Sequence, residues 1–225
     1  MALRLAELNP DTDYEYVITP TGDELPDMFA HWTRLENKLG KPMTRLNTMT
    51  LEQCIEREGM IPNFRARFCT RILKIEPFID HMLTLDEGSV MYVGLRADEG
   101  GRLGLVPPGA EFEVSYPMRE WDWSIEDVKR YLDCHGIEVP RRTDCGACFY
   151  QRLHEWKFLL DNFPDRYEQY VQIEKRMGYT FRSDGRDTWP ASLDELRKEF
   201  QSGRKLRKSP TRKKDDTQIC RFCSM

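Results

Sequence analysis

Seven cysteines are spread unevenly along the chain: Cys54, Cys69 and Cys134 stand singly, whereas Cys145/Cys148 and Cys220/Cys223 form two C-x2-C pairs. An odd number at such spacing argues against a disulfide framework and for free thiols in a reducing compartment. Two thiols separated by two residues reach one metal ion from a tight turn, so Cys145 and Cys148 are candidate ligands of iron–sulfur or zinc, with buried thiols of no special role as the plain alternative. The terminal pair has a different context. Cys220-Arg221-Phe222-Cys223 follows a basic run, and Arg221 would lower a neighbouring thiol pKa and favour thiolate. Cys54, on a predicted helix, reads as a core thiol.

Anion-binding chemistry is the second theme. Arg65, Arg67, Arg71 and Lys74 cluster around Cys69; guanidinium forks suit phosphate or sulfate oxygens, although a solvated helix face looks similar. Thr19-Pro20-Thr21-Gly22-Asp23-Glu24 has the small residues that let a backbone approach a ligand, or simply turn from a strand into a helix. Gly94 to Arg102 is a strand end running into a charged, glycine-bearing loop. His31, His81, His135 and His154 fall into no metal-binding spacing, and Trp121, Trp123 and Trp156 read as packing residues.

These groups need elements to position them. Ala2 to Leu8 reads as a short helix and Tyr14 to Thr19 as a strand. Asp23 to Leu39 carries apolar residues at helical spacing, with Gly40 as a stop signal. A strand at Pro42 to Leu46, a helix at Leu51 to Glu58 and a buried strand at Val90 to Leu95 continue the alternation, which predicts an α/β fold with a parallel sheet and flanking helices. Ser124 and Asp127 form a capping-box-like start for a helix reaching Cys134. Helical patterns from Cys148 to Leu160, Asp165 to Met177 and Ser192 to Phe200 make the C-terminal part mainly helical. We expect an α/β domain over residues 1–178, a helical extension over 179–202 and a basic tail over 203–225.

A length of 225 residues allows one full core and a small appendage. With 32% charged residues and only short apolar runs, the chain is not expected to cross a membrane. Its first residues lack the charged and apolar regions of a secretory signal, which predicts a cytoplasmic protein. The net charge of −4 gives no global bias toward nucleic acid. The exception is the run from Arg204 to Lys214, read either as a solvated linker or as an arm for nucleic acid.

Taken in order, the motifs resemble the phosphoadenylyl-sulfate (PAPS) reductase-like family of the adenine nucleotide alpha hydrolases. Arg67 to Phe78 resembles its segment of cysteine, basic residues, lysine and proline. Gly94, Arg96, Glu99 and Arg102 match its G-x-R-x-x-E-x-x-R pattern. Pro117 with Trp121 to Val128 resembles its proline–tryptophan segment opening a helix, and Asp144 to Cys148 falls where it places C-x2-C. The family also opens with a strand and an S-G-G-x-D-S phosphate loop. This sequence carries neither, and Ala2 to Leu8 resembles the helix that follows that loop; an N-terminally truncated member and a degenerate one that no longer cleaves ATP both fit.

The resemblance implies an enzyme of sulfonucleotide reduction or sulfur transfer that binds ATP or an adenylyl sulfate. Thr19, Thr21 and Gly22 would border the adenosine, while Arg71, Lys74, Gly94, Arg96, Glu99 and Arg102 would serve the anionic groups. Cys69, approaching from a strand end, would join Cys145 and Cys148 at a 4Fe-4S cluster with one open iron. Thr70 stands where the family has a second adjacent cysteine, and Cys134 could supply a fourth ligand, to a closed cluster or to zinc. Cys220 or Cys223 would be the mobile catalytic thiol. The implied partners are an adenine nucleotide, a thiol reductant or sulfur-donor protein, nucleic acid at the basic tail, and a second copy in a homodimer. A non-catalytic nucleotide- or nucleic-acid-binding module with structural zinc is the competing expectation.

Overall fold

The computed structural model describes residues 1–102, 113–140 and 145–206. Helix α1 (Ala2–Leu8) precedes strand β1 (Val17–Ile18), which pairs in parallel with β2 (Thr44–Arg45) across helix α2 (Pro26–Leu39). Helix α3 (Leu51–Glu58) follows. The chain then coils through α4 (Phe68–Thr70), a π-helical turn (Arg71–Ile75) and α5 (Glu76–Met82). Strand β3 (Val90–Tyr92) pairs in parallel with β4 (Glu113–Ser115), and α6 (Pro117–Glu120) and α7 (Ile125–Cys134) come next. Helices α8 (Leu153–Asn162), α9 (Pro164–Met177) and α10 (Leu193–Gln201) complete the described chain.

The α/β class and the parallel pairing agree with the sequence, but the described strands form two separate two-stranded sheets rather than one extended sheet. Local chemistry shortens the first strand. Pro20 has no N–H to donate to a ladder, and the carbonyl of Tyr14 is taken by Lys41 Nζ at 2.6 Å. Most of the core is built between helices instead: Leu51, Cys54 and Ile55 of α3 join Ile72 and Leu73 of the π turn, Trp156 and Leu159 of α8, Tyr167 and Val171 of α9, and Leu193 and Leu196 of α10.

Helix ends follow their side chains. Thr50 and Gln53 form a reciprocal capping box at α3, and Ser124 and Asp127 form the expected one at α7. Gly40 ends α2 in the left-handed conformation at φ 67°, as a C-terminal glycine does. Two segments depart from expectation. Residues 68–82 are helical, so Cys69 lies in a helical turn and not at a strand end. The helix expected from Cys148 starts only at Leu153, because residues 145–151 form successive tight turns, with Cys148 N–H donating to the carbonyl of Cys145 at 3.4 Å and Gln151 N–H to that of Cys148 at 3.0 Å. Glu155 then caps the new start by accepting from Arg152 N–H at 2.6 Å. Among the described residues no helix is long and apolar enough to cross a membrane.

Candidate metal centre and its surroundings

The Cys145–Cys148 turn is held against the loop that follows β1. Cys145 and Glu24 form an antiparallel bridge, Gly146 N–H donates to the carbonyl of Asp23 at 2.7 Å, and Ala147 N–H donates to Asp23 Oδ2 at 2.8 Å. The other carboxylate oxygen, Oδ1, accepts from the Tyr170 hydroxyl of α9 at 2.6 Å. Arg166, one turn earlier on α9, donates to the carbonyl of Glu24 at 2.8 Å. Gln151, fully buried, closes the other side by donating to the carbonyl of Gly146. Gly146 has no room for a side chain: a Cβ there would overlap the Tyr170 hydroxyl and lie 3.1 Å from the Asp23 carbonyl.

Three thiols meet at this turn. The Cys145 thiol is held well above its ordinary pKa, first by its hydrogen bond with Cys148 and then by burial, with Asp23 and Cys69 adding to the shift. Burial raises the Cys69 thiol too, followed by the influence of Cys148, while Thr70 and Lys74 act in the opposite direction. Cys54 is fully buried beside this group; burial and then Cys69 push it up to about 11, as befits the core thiol expected from the sequence. Cys134 stands elsewhere, exposed at the end of α7, and is not among the principal influences on the Cys69 or Cys145 thiol. Cys220 and Cys223 lie outside the described residues, as do Arg207 to Lys214 of the basic run.

Among the described residues no three His, Cys, Asp or Glu side chains are already gathered around a single ion position. The donor set nevertheless suits a thiophilic metal. Cys69 and Cys145 resist ionisation because each thiolate would meet burial and the charge of a neighbouring thiol, and a metal cation relieves both penalties. Thiolate donors favour iron–sulfur clusters and zinc over hard oxygen-seeking cations. The π turn that begins two residues after Cys69 belongs to a class of helical irregularity that is frequent at functional sites.

Guanidinium groups border the turn. Arg186 donates to the carbonyls of Phe149 at 3.0 Å and Tyr150 at 3.2 Å, and its own pKa is lowered mainly by burial. Arg67 lies 5.8 Å from the Tyr150 ring centre. Phe64, exposed, packs edge-on against Phe149 and Tyr150. Three other candidate anion ligands are paired with carboxylates of the protein. Arg71 pairs with Glu76. Arg96 Nε contacts Asp98 at 2.8 Å, and Glu99 pairs with both Arg96 and Arg102. Arg119 donates to the carbonyl of Glu99 at 3.0 Å, adding a third guanidinium to this loop. Gly94 faces Met118 and Met1.

In the loop after β1, Thr21 is buried and gives both its N–H, at 2.6 Å, and its hydroxyl, at 2.8 Å, to Glu24 Oε1. Gly22 adopts φ 72° with its Cα hydrogens against Thr50, so any side chain there would be strained and crowded. Thr19 is half-buried at the strand exit. Three of the histidines serve as structural partners: His31 contacts the carbonyl of Glu138, His81 pairs with Glu15 and His135 with Glu7.

Sequence reasoning did not single out Asp23, Tyr170, Arg166 or Gln151 as parts of this site. The only signal was the glycine between the cysteines, since a small residue there implies something packed close. Comparison with protein-family models, curated proteins and solved structures finds no match to this chain.

Proposed function

We propose that the chain is a PAPS-reductase-like, adenylate-binding protein that uses a cysteine-ligated iron–sulfur centre in sulfonucleotide reduction or sulfur transfer. The observation carrying this reading is the grouping of Cys69, Cys145 and Cys148, all half-buried, in one spot bordered by Arg67, Arg186 and Lys74. Cys69 reaches the C-x2-C turn from a helical segment, and the order of motifs in the sequence resembles that of the family. Cys69, Cys145 and Cys148 would hold the cluster, which would supply an iron able to bind sulfide or substrate. The cationic groups would hold the sulfonate or phosphate close to it. Cys220 or Cys223 would act as the mobile thiol in a reductase.

A second reading draws on the internal pairing of Arg71, Arg96 and Arg102 and on the engagement of Thr21 with Glu24. Groups already satisfied by protein partners fit a binding module with structural zinc. Isothermal titration with ATP and with an adenylyl sulfate separates the two. The reductase-like reading predicts saturable binding of at least one of them, weakened ~10-fold or more in Arg96→Ala and Arg102→Ala, because each loses a charge-assisted contact worth about 1.5–3 kcal/mol. Absence of heat with every nucleotide would leave the module.

A further inference from the structure

Three backbone N–H groups of the C-x2-C turn are donated to oxygen. Gly146 gives its N–H to the Asp23 carbonyl at 2.7 Å, Ala147 to Asp23 Oδ2 at 2.8 Å, and Cys148 to the Cys145 carbonyl at 3.4 Å. Amides of the same turn are donors that a ligating sulfur can draw on. Amides that point at a thiolate withdraw electron density and raise the reduction potential of the centre; amides turned elsewhere leave the sulfurs electron-rich. One residue therefore captures two of the three donors, and its carboxylate stands beside Cys145.

We propose that Asp23 is a positioning residue for the cysteine centre: by taking the N–H groups of Gly146 and Ala147 it fixes the orientation of the turn and keeps the centre at a low reduction potential. The inference rests on the metal-centre reading above. Tyr170 completes the device, because its hydroxyl at 2.6 Å holds the carboxylate in the orientation that meets Ala147. Arg166 and Gln151 hold the chain on either side of it. The arrangement ties helix α9 to the turn through a single carboxylate.

The test is anaerobic reconstitution of the full chain with iron and sulfide, followed by measurement of bound iron, the visible spectrum and the midpoint potential. Wild type is compared with Asp23→Ala, Asp23→Asn and Tyr170→Phe. Asp23→Ala releases the Ala147 N–H toward sulfur, so its potential moves to less negative values and its iron affinity falls ~10–100-fold, the usual effect of losing an outer-shell partner. Asp23→Asn keeps an oxygen for Ala147 and retains iron as wild type does, while loss of the charge beside Cys145 still raises its potential. Tyr170→Phe moves in the same direction by less.

Equal potentials and iron contents in wild type, Asp23→Ala and Asp23→Asn would overturn the proposal. If thermal melting shows that Asp23→Ala does not fold, Asp23→Asn decides alone, and an unchanged potential there overturns it. Should wild type itself take up no iron, the metal-centre reading fails first, and this inference falls with it.

Discussion

Gly146→Ala is expected to destabilise the protein by about 2–3 kcal/mol, the upper range for overpacking a well-filled interior, and to displace the cysteine turn. The added methyl would overlap the Tyr170 hydroxyl and press on the Asp23 carbonyl, which is backbone and cannot swing aside. Both Asp23-based hydrogen bonds to the turn then lengthen or break. Tyr170→Phe removes the overlapping oxygen, so the double variant should be more stable than the sum of the two single effects predicts. A coupling energy of about 1 kcal/mol or more is expected for two groups in direct contact. Urea denaturation of the four proteins measures it, and strict additivity would show that the turn does not lie against α9 as described.

Glu174→Ala is expected to have an effect of similar size, one turn along α9 from Tyr170. Glu174 is buried, and its two carboxylate oxygens accept from Phe181 N–H at 2.9 Å and Leu193 N–H at 2.7 Å. Removing the carboxylate leaves two enclosed backbone donors without acceptors, at about 1–3 kcal/mol each. The loss falls on the junction of α9, the segment at Phe181 and the start of α10, all within the main core.

The same residue carries a pH signature. Burial raises the Glu174 carboxyl from 4.5 to about 7, against the two amide bonds and Arg182, which favour the charged form, while Asp194 adds to the rise. The folded state thus holds a proton that the unfolded chain has released, so the stability gained from Glu174 is complete below pH 4.5 and is lost as pH climbs toward 7. Asp23, raised by burial to about 6, contributes with the same sign over the lower part of that window. Stability measured by denaturant between pH 4.5 and 7.5 should fall for wild type and fall less in Glu174→Gln, which cannot titrate. A parallel pH profile in Glu174→Gln would contradict this assignment.

The sequence revealed elements better than it revealed their assembly. The Ser124–Asp127 cap acts within four residues and is present as expected, and the helix expected at Leu51 to Glu58 coincides with α3. The strands were harder to bound, because Tyr14 to Thr19 has β-forming side chains while only Val17 and Ile18 find a ladder partner. Whether a strand pairs depends on what lies alongside, which periodicity does not encode. The helical run through Cys69 was missed for a related reason: Arg65 to Lys74 is dominated by charge, and its apolar residues Phe68, Ile72 and Leu73 face a core built from distant helices.

At the candidate site the cysteines were legible because their chemistry is rare and their spacing short. Asp23 and Tyr170 were not, since an acid after a glycine and a tyrosine on an amphipathic helix are ordinary, and they meet only across a separation of 147 positions. Gly94 to Arg102 offered a specific-looking pattern. Its charges are satisfied among Arg96, Asp98, Glu99, Arg102 and Arg119, a local network that the spacing of three already permitted.

The central claim is that Cys69, Cys145 and Cys148 together hold one metal centre, and anaerobic purification with iron, sulfide and zinc analysis tests it most directly. The account predicts a coloured protein with stoichiometric iron and sulfide, bleached in Cys69→Ser, Cys145→Ser and Cys148→Ser and unaffected in Cys54→Ser. Wild type carrying neither iron nor zinc, with all three thiols open to alkylation once unfolded and no difference among the variants, would contradict it.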